Sequence, residues 1–103
     1  MIVRTWHGCV PRWHEAGFAA HLEQTGIQHS RSIKGNLGAF VRQEVQGEWM
    51  HFFLATYWED LAAVKAFAGD NYHIAVIYPD DEQFGLLSDP YVFQHEVSEI
   101  TPL

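Results

Sequence analysis

Trp49 to Trp58 is a run of ten residues that is largely apolar on both sides when drawn as an extended strand. Strand side chains alternate between faces, so Met50, Phe52, Leu54, Thr56 and Trp58 share one side while His51, Phe53, Ala55 and Tyr57 share the other. A sheet with helices on one face and water on the other alternates apolar with polar residues. This strand does not, so both of its faces are expected to be covered. A chain of 103 residues has room for one domain, taken as residues 1–103, and its helices can cover only one face. The other face calls for cover from outside the chain, most simply from a second subunit.

The remaining elements are read around that strand. Ile2 to Val10 is rich in β-branched and aromatic residues and runs into Pro11, a favoured first residue of a helix. A helix is expected from Arg12 to about Gln24, with Phe18, Ala19 and Leu22 inward and Gly26 as its stop; Ile27 to Ile33 is ambiguous between irregular chain and a further turn of helix. Leu37 to Val45 alternates as a second strand, and the short Gln46-Gly47-Glu48 loop joins it to the third as an antiparallel hairpin. Asp60 is placed to cap a helix over Asp60 to Ala68, which Gly69 ends in the left-handed conformation. Asp80 to Ser88 reads as turn and loop, and Tyr91 to Ile100 as the last strand. The order β-α-β-β-α-β predicts an α+β, ferredoxin-like antiparallel sheet with its helices on one side.

Composition narrows the partners. Thirteen acidic against six basic side chains give a formal charge of −7, which repels phosphate backbones and anionic lipid, so neither nucleic acid nor membrane is expected. Cys9 is the only cysteine and cannot form an intrachain disulfide. Arg4, Thr5 and His7 interrupt what would have to be the apolar stretch of a leader, and a cytoplasmic location is expected.

Motifs for common cofactors fail. His14-Glu15 opens like a zinc-protease helix, but Phe18 stands where the second histidine belongs. His14 and His21 are read as solvent-facing, and Asp80-Asp81-Glu82 as a solvated acidic turn without the spacing of a calcium loop. Gly35, Gly38 and Gly47 match no phosphate-binding fingerprint. No metal site and no cofactor is therefore expected.

Several segments occur in an order that carries a resemblance: the opening Ile2-Val3-Arg4-Thr5-Trp6-His7-Gly8, Thr25-Gly26-Ile27, Gly35-Asn36-Leu37-Gly38, the corner from Trp58 to Gly69, Tyr78-Pro79-Asp80-Asp81 and the terminal Glu96-Val97. Together they resemble the antibiotic biosynthesis monooxygenase family. The resemblance implies a homodimeric α-β barrel in which two four-stranded sheets pack face to face. It also implies oxidation of a small aromatic phenol or quinol by dioxygen without metal or flavin. A haem-cleaving branch has the same layout but uses an Asn, a Trp and a His in its cavity, where this chain aligns Trp6, Phe67 and Val76. Val76 cannot ligate iron through an imidazole, so haem degradation is not expected. Phenol-oxidising members place an Asn where this chain has Leu54, and the His of many relatives' terminal strand is shifted by one residue to His95, hence to the opposite face.

Candidate site residues follow. His73, just past the second helix, is the first choice for a general base, with Trp58 and Tyr72 beside it as catalytic candidates. Trp6, Leu54, Phe67, Phe93 and His95 are candidates for binding substrate. The alternative is a non-catalytic dimer of the same fold that binds a small apolar ligand or serves a stress or regulatory role.

Overall fold

The first strand, β1 (Ile2–Pro11), is the central strand of an antiparallel sheet. β2 (Asn36–Gln46) and β3 (Trp49–Trp58) form a hairpin, and β3 pairs along the whole of β1, with Trp6 opposite Leu54, Gly8 opposite Phe52 and Val10 opposite Met50. The hairpin turns through Gly47, whose φ of 61° is the left-handed value that a tight hairpin needs and that glycine adopts without strain. Two short strands line the other edge of β1: β4 (Leu87–Ser88) beside Gly8 and Cys9, and β5 (Phe93–Glu96) beside Ile2 to Thr5. The strand order is β2-β3-β1-β4, with β5 also paired to β1, an α+β ferredoxin-like arrangement. The computed structural model describes residues 1–98.

The first helical segment departs from expectation. A 3₁₀ turn (Arg12–His14) leads into α1 (Glu15–Leu22), but the chain does not stop at Gly26; it continues through a π turn (Glu23–Ile27) into α2 (Gln28–Ser32). Gly26 lacks the positive φ of a helix-ending glycine. It is buried instead, in van der Waals reach of Leu22 and Leu54, and the segment ends only where Ile33 turns extended. The second helix, α3 (Leu61–Ala68), is capped as its sequence predicts, the Asp60 carboxylate accepting the Ala63 N–H at 2.9 Å. Gly69 ends it at φ 81° but ψ −172°, so the cap has positive φ without being left-handed helical.

The last strand is shorter than expected. Tyr91 makes only an isolated bridge to Ile74, β5 spans Phe93–Glu96, and part of the expected loop is β4. Asp89-Pro90 separates the two pieces, because Pro90 has no N–H to offer a ladder. Positions 99 and 100 of the expected strand lie outside the described residues.

The helices cover the face of the sheet that carries Met50, Phe52 and Leu54. Val10, Phe18, Leu22 and Ile27 complete that core, and Trp58, Ala63 and Val64 form a second cluster under α3. Phe18 meets Phe52 edge to face at 4.9 Å, and burying each ring is worth about 2 kcal/mol. The opposite face is open within one chain: Phe40 is 65% exposed and Phe93 71% exposed beside half-buried Phe53 and Tyr57. Among the described residues no helix is long and apolar enough to cross a membrane.

Candidate functional site

Between the sheet and its helices lies a cavity of about 40 Å³, walled by Trp6, Phe18, Leu54, Phe67, Val76 and Leu86. Strand phase explains the wall. Arg4 and Trp6 on β1 share the helix-facing side with Thr56 and Leu54, their register partners on β3. Trp6 is held at both ends. Its indole N–H donates to Ser88 Oγ at 2.8 Å, and its six-membered ring lies across the Gly8 backbone, where a Cβ would fall 2.5 Å from Trp6 Cζ2. A phenyl ring needs a cavity on the order of 150 Å³, so this one has to enlarge to admit it.

Four polar side chains line this apolar space: Arg4, Thr56, Tyr78 and Asp81. Arg4 is only 4% exposed; one terminal nitrogen donates to the Tyr72 carbonyl and the other to the Ile74 carbonyl at 3.1 Å. Burial lowers its pKa to about 10, partly offset by Tyr78, and it remains a cation at neutral pH. Tyr78 also lines the cavity, and its hydroxyl lies 2.9 Å from His29 Nδ1. Burial pushes the Tyr78 phenol up to about 12; Asp81 adds to this and Arg4 opposes it. The His29 ring packs on Phe67 with centroids 4.7 Å apart, which fixes its approach to the hydroxyl.

Asp81 closes the same side of the cavity. One carboxylate oxygen is 2.7 Å from His21 Nε2, and the other accepts the Tyr78 backbone N–H at 2.9 Å. The expectation of solvation is corrected for His21 and for Asp81, whose side chains are 11% and 13% exposed and clasp α1 to the turn, while Asp80 and Glu82 are exposed as expected. Fixed N–H and imidazole partners keep Asp81 out of water.

The structure brings some of the sequence candidates together and separates others. Trp6, Leu54 and Phe67 line the cavity, as does Val76. Trp58 does not; it is fully buried beneath, donating from its indole N–H to Thr56 Oγ1 at 2.9 Å and packing on Phe67 at 5.4 Å. Tyr72 contributes its carbonyl to Arg4 while its ring packs against the Trp58 cluster. His73 is not among the residues lining this cavity. Its imidazole is exposed with Nδ1 3.4 Å from Gln94 Nε2, and the His73 carbonyl accepts the Val92 N–H at 2.8 Å. Phe93 and His95 pair with Thr5 and Val3 and so lie on the open face, across the sheet from the cavity. Arg4, Tyr78 and His29 were not among the site candidates read from the sequence, and Asp81 entered only as part of the acidic turn and of the Tyr78-Pro79-Asp80-Asp81 segment; a charged residue two positions before Trp6, in phase with the core face, was the readable signal for Arg4.

The cavity's donors do not suit a haem. Among its lining residues there is no imidazole, thiolate or thioether, and Tyr78, held as a phenol, is a poor source of the phenolate that iron would need. Among the described residues no group of three or more His, Cys, Asp and Glu is placed to hold a metal ion.

No protein-family model and no curated protein matches the sequence. Solved structures do match. A candidate antibiotic biosynthesis monooxygenase from Deinococcus radiodurans superposes with a TM-score of 0.64 at 18% identity, covering 100% of this chain and 98% of that one. A second, from Bacillus cereus, gives 0.63 at 14% identity, again covering 100% and 98%. A variant of MhuD with two manganese protoporphyrin IX bound per active site gives 0.64 at 18% identity, covering 99% of each chain. Over its whole length the chain therefore has the fold of these antibiotic biosynthesis monooxygenase structures.

Proposed function

We propose that the chain is a cofactor-independent monooxygenase that oxidises an aromatic phenol or quinol with dioxygen in this cavity. The observation that carries the reading is the convergence on one apolar space of the Arg4 guanidinium and the Tyr78 hydroxyl, with His29 hydrogen-bonded on the far side of that hydroxyl. Tyr78, held protonated, cannot act as a base alone. It can pass its proton to His29 Nδ1 while taking the substrate's, and Arg4 offsets the phenolate charge. The ring anion then delivers electrons to dioxygen. One oxygen atom ends as a ring carbonyl in place of C–H, and the other leaves as water with the ring and hydroxyl hydrogens.

The same reading includes a homodimer. Two copies pair through their open sheet faces, which accounts for the aromatic residues that a single chain leaves in water, among them Phe40 and Phe93. In this reading His73 and His95 take no part in proton transfer, and Trp58 acts by supporting Phe67.

Oxygen uptake and quinone absorbance over a panel of quinols test the proposal. Turnover is expected without added metal or flavin, and Tyr78→Phe should slow it by about 100-fold, the scale of a lost proton relay. Absence of uptake across the whole panel overturns it. The alternative, a dimer that binds a small ligand without turning it over, is favoured by Leu54, which gives the cavity an apolar wall where the resembled phenol oxidisers carry an amide. Saturable binding of a quinol with no oxygen consumed would establish that alternative.

A further inference from the structure

Resting on the same cavity, we propose that its ligand is an aromatic acid, whose anionic oxygens meet the Arg4 guanidinium. Arg4 is 96% removed from solvent by the fold, yet among the described residues no carboxylate lies within 4.0 Å of it. A guanidinium has five N–H donors, and the two contacts to the Tyr72 and Ile74 carbonyls leave most of them without a protein acceptor. Those carbonyls carry partial charge only. A buried cation with no counter-ion is costly, and proteins keep such a group where something else supplies the opposite charge.

The neighbours do not supply it. Asp81 faces the same cavity, but it makes no ion pair with Arg4 within 4.0 Å; one of its oxygens is directed to His21 and the other to the Tyr78 N–H. Tyr78 is neutral across the physiological range and donates or accepts only as a phenol. Thr56, which also lines the cavity, is neutral, and its Oγ1 accepts the Trp58 indole N–H. Below the guanidinium, Phe67 offers its ring face with the charge 5.7 Å from the centroid, a favourable but uncharged contact. The missing negative charge has therefore to arrive with the ligand. A carboxylate is planar and matches a guanidinium with two parallel N–H···O bonds. Trp6, Phe67 and Leu54 then enclose the attached ring, and Tyr78 is left to address a hydroxyl on it.

Isothermal titration calorimetry under nitrogen, with 2-hydroxybenzoate and its neutral analogue 2-hydroxybenzyl alcohol as probes, tests the idea without requiring turnover. The acid is expected to bind at least 10-fold more tightly than the alcohol. Arg4→Lys should keep part of that preference, and Arg4→Met should abolish it, leaving the acid and the alcohol with equal affinities whatever their common value. Equal affinities in the wild-type protein, no binding of either probe at millimolar concentration, or a preference that survives in Arg4→Met would each overturn the proposal. Should Arg4→Met fail to fold, the wild-type comparison of the two probes decides by itself. The outcomes separate from those of the oxidation reading. Tight binding of the acid with no oxygen uptake from any quinol would sink the monooxygenase and leave this inference standing. Turnover of neutral quinols with no preference for the acid would do the reverse.

Discussion

Gly8→Ala should destabilise the protein, and it should do so through Trp6. In a strand an alanine ordinarily outranks glycine by about 0.5–1 kcal/mol, since it gives up less backbone freedom on folding. Gly8 is not among the positive-φ glycines, so its backbone accepts a side chain. The obstacle is space. A Cβ at position 8 would lie 2.5 Å from Trp6 Cζ2, 2.8 Å from Cη2 and 3.1 Å from Leu86 Cδ1. Carbon contacts are comfortable at about 3.5–4.0 Å, so the indole must retreat by roughly 1 Å. It is pulled the other way by its 2.8 Å bond to Ser88 Oγ. Overpacking of this kind costs about 1–3 kcal/mol and a strained or lost hydrogen bond about 1 more, for a net loss of about 2–3 kcal/mol. Urea denaturation followed by circular dichroism, at one fixed protein concentration because assembly adds to stability, reads it directly. The decisive arm is Trp6→Leu, which removes the ring. On that background Gly8→Ala should be neutral or slightly stabilising, giving a coupling of about 2 kcal/mol or more. If the two substitutions add to within about 0.5 kcal/mol, the steric account is wrong.

Other perturbations follow from the same contacts. Asp60→Ala removes the acceptor for the Ala63 N–H and should cost about 1 kcal/mol in the same denaturation assay. Tyr78 has a folded pKa near 12, above the ordinary value of 10.0, so its contribution is whole below pH 10 and is lost as pH rises toward 12. Arg4 works in the opposite sense, gaining stability above pH 10 as its lowered pKa is passed. Between pH 10 and pH 12 the wild type should therefore lose more stability than Tyr78→Phe, and parallel losses in urea midpoint would refute the assignment. Phe93→Glu puts charge on the open sheet face; analytical ultracentrifugation should show a dimer for the wild type and a monomer for the variant, an interface of roughly 2,000 Å² being too apolar to tolerate it.

Local signals in the sequence proved readable, and long-range ones did not. The β2–β3 hairpin, its turn at Gly47 and the cap at Asp60 each rest on residues close to one another in the chain, and each has its expected form. Gly26 misled because a glycine marks either a helix end or a close approach, and only its burial against Leu22 and Leu54 tells which. The site was harder still. His29 reaches Tyr78 across 49 positions and His21 reaches Asp81 across 60, and nothing in the spacing of either pair announces it. His73 lies near a helix end, but its ring neighbour is Gln94, 21 positions away, and nothing in the local spacing announces that contact. Trp6, Leu54 and Phe67 were found because family resemblance carries positional information that composition lacks.

The π turn at Glu23–Ile27 acts as an indexing device. A π turn holds one residue more than an α turn would over the same span, and each helical residue rotates the chain by about 100°. Deleting one residue among Glu23, Gln24 and Thr25 would let the segment close into regular α-helix. α2 would then be swung by roughly a quarter to a third of a turn relative to α1. His29 would leave Tyr78, although neither residue had been altered and the helices would still be helices. The length of this turn, rather than the identity of its residues, sets which α2 side chain meets the Tyr78 hydroxyl. Insertions and deletions here therefore have the power to exchange one hydrogen-bond partner of Tyr78 for another in a single step.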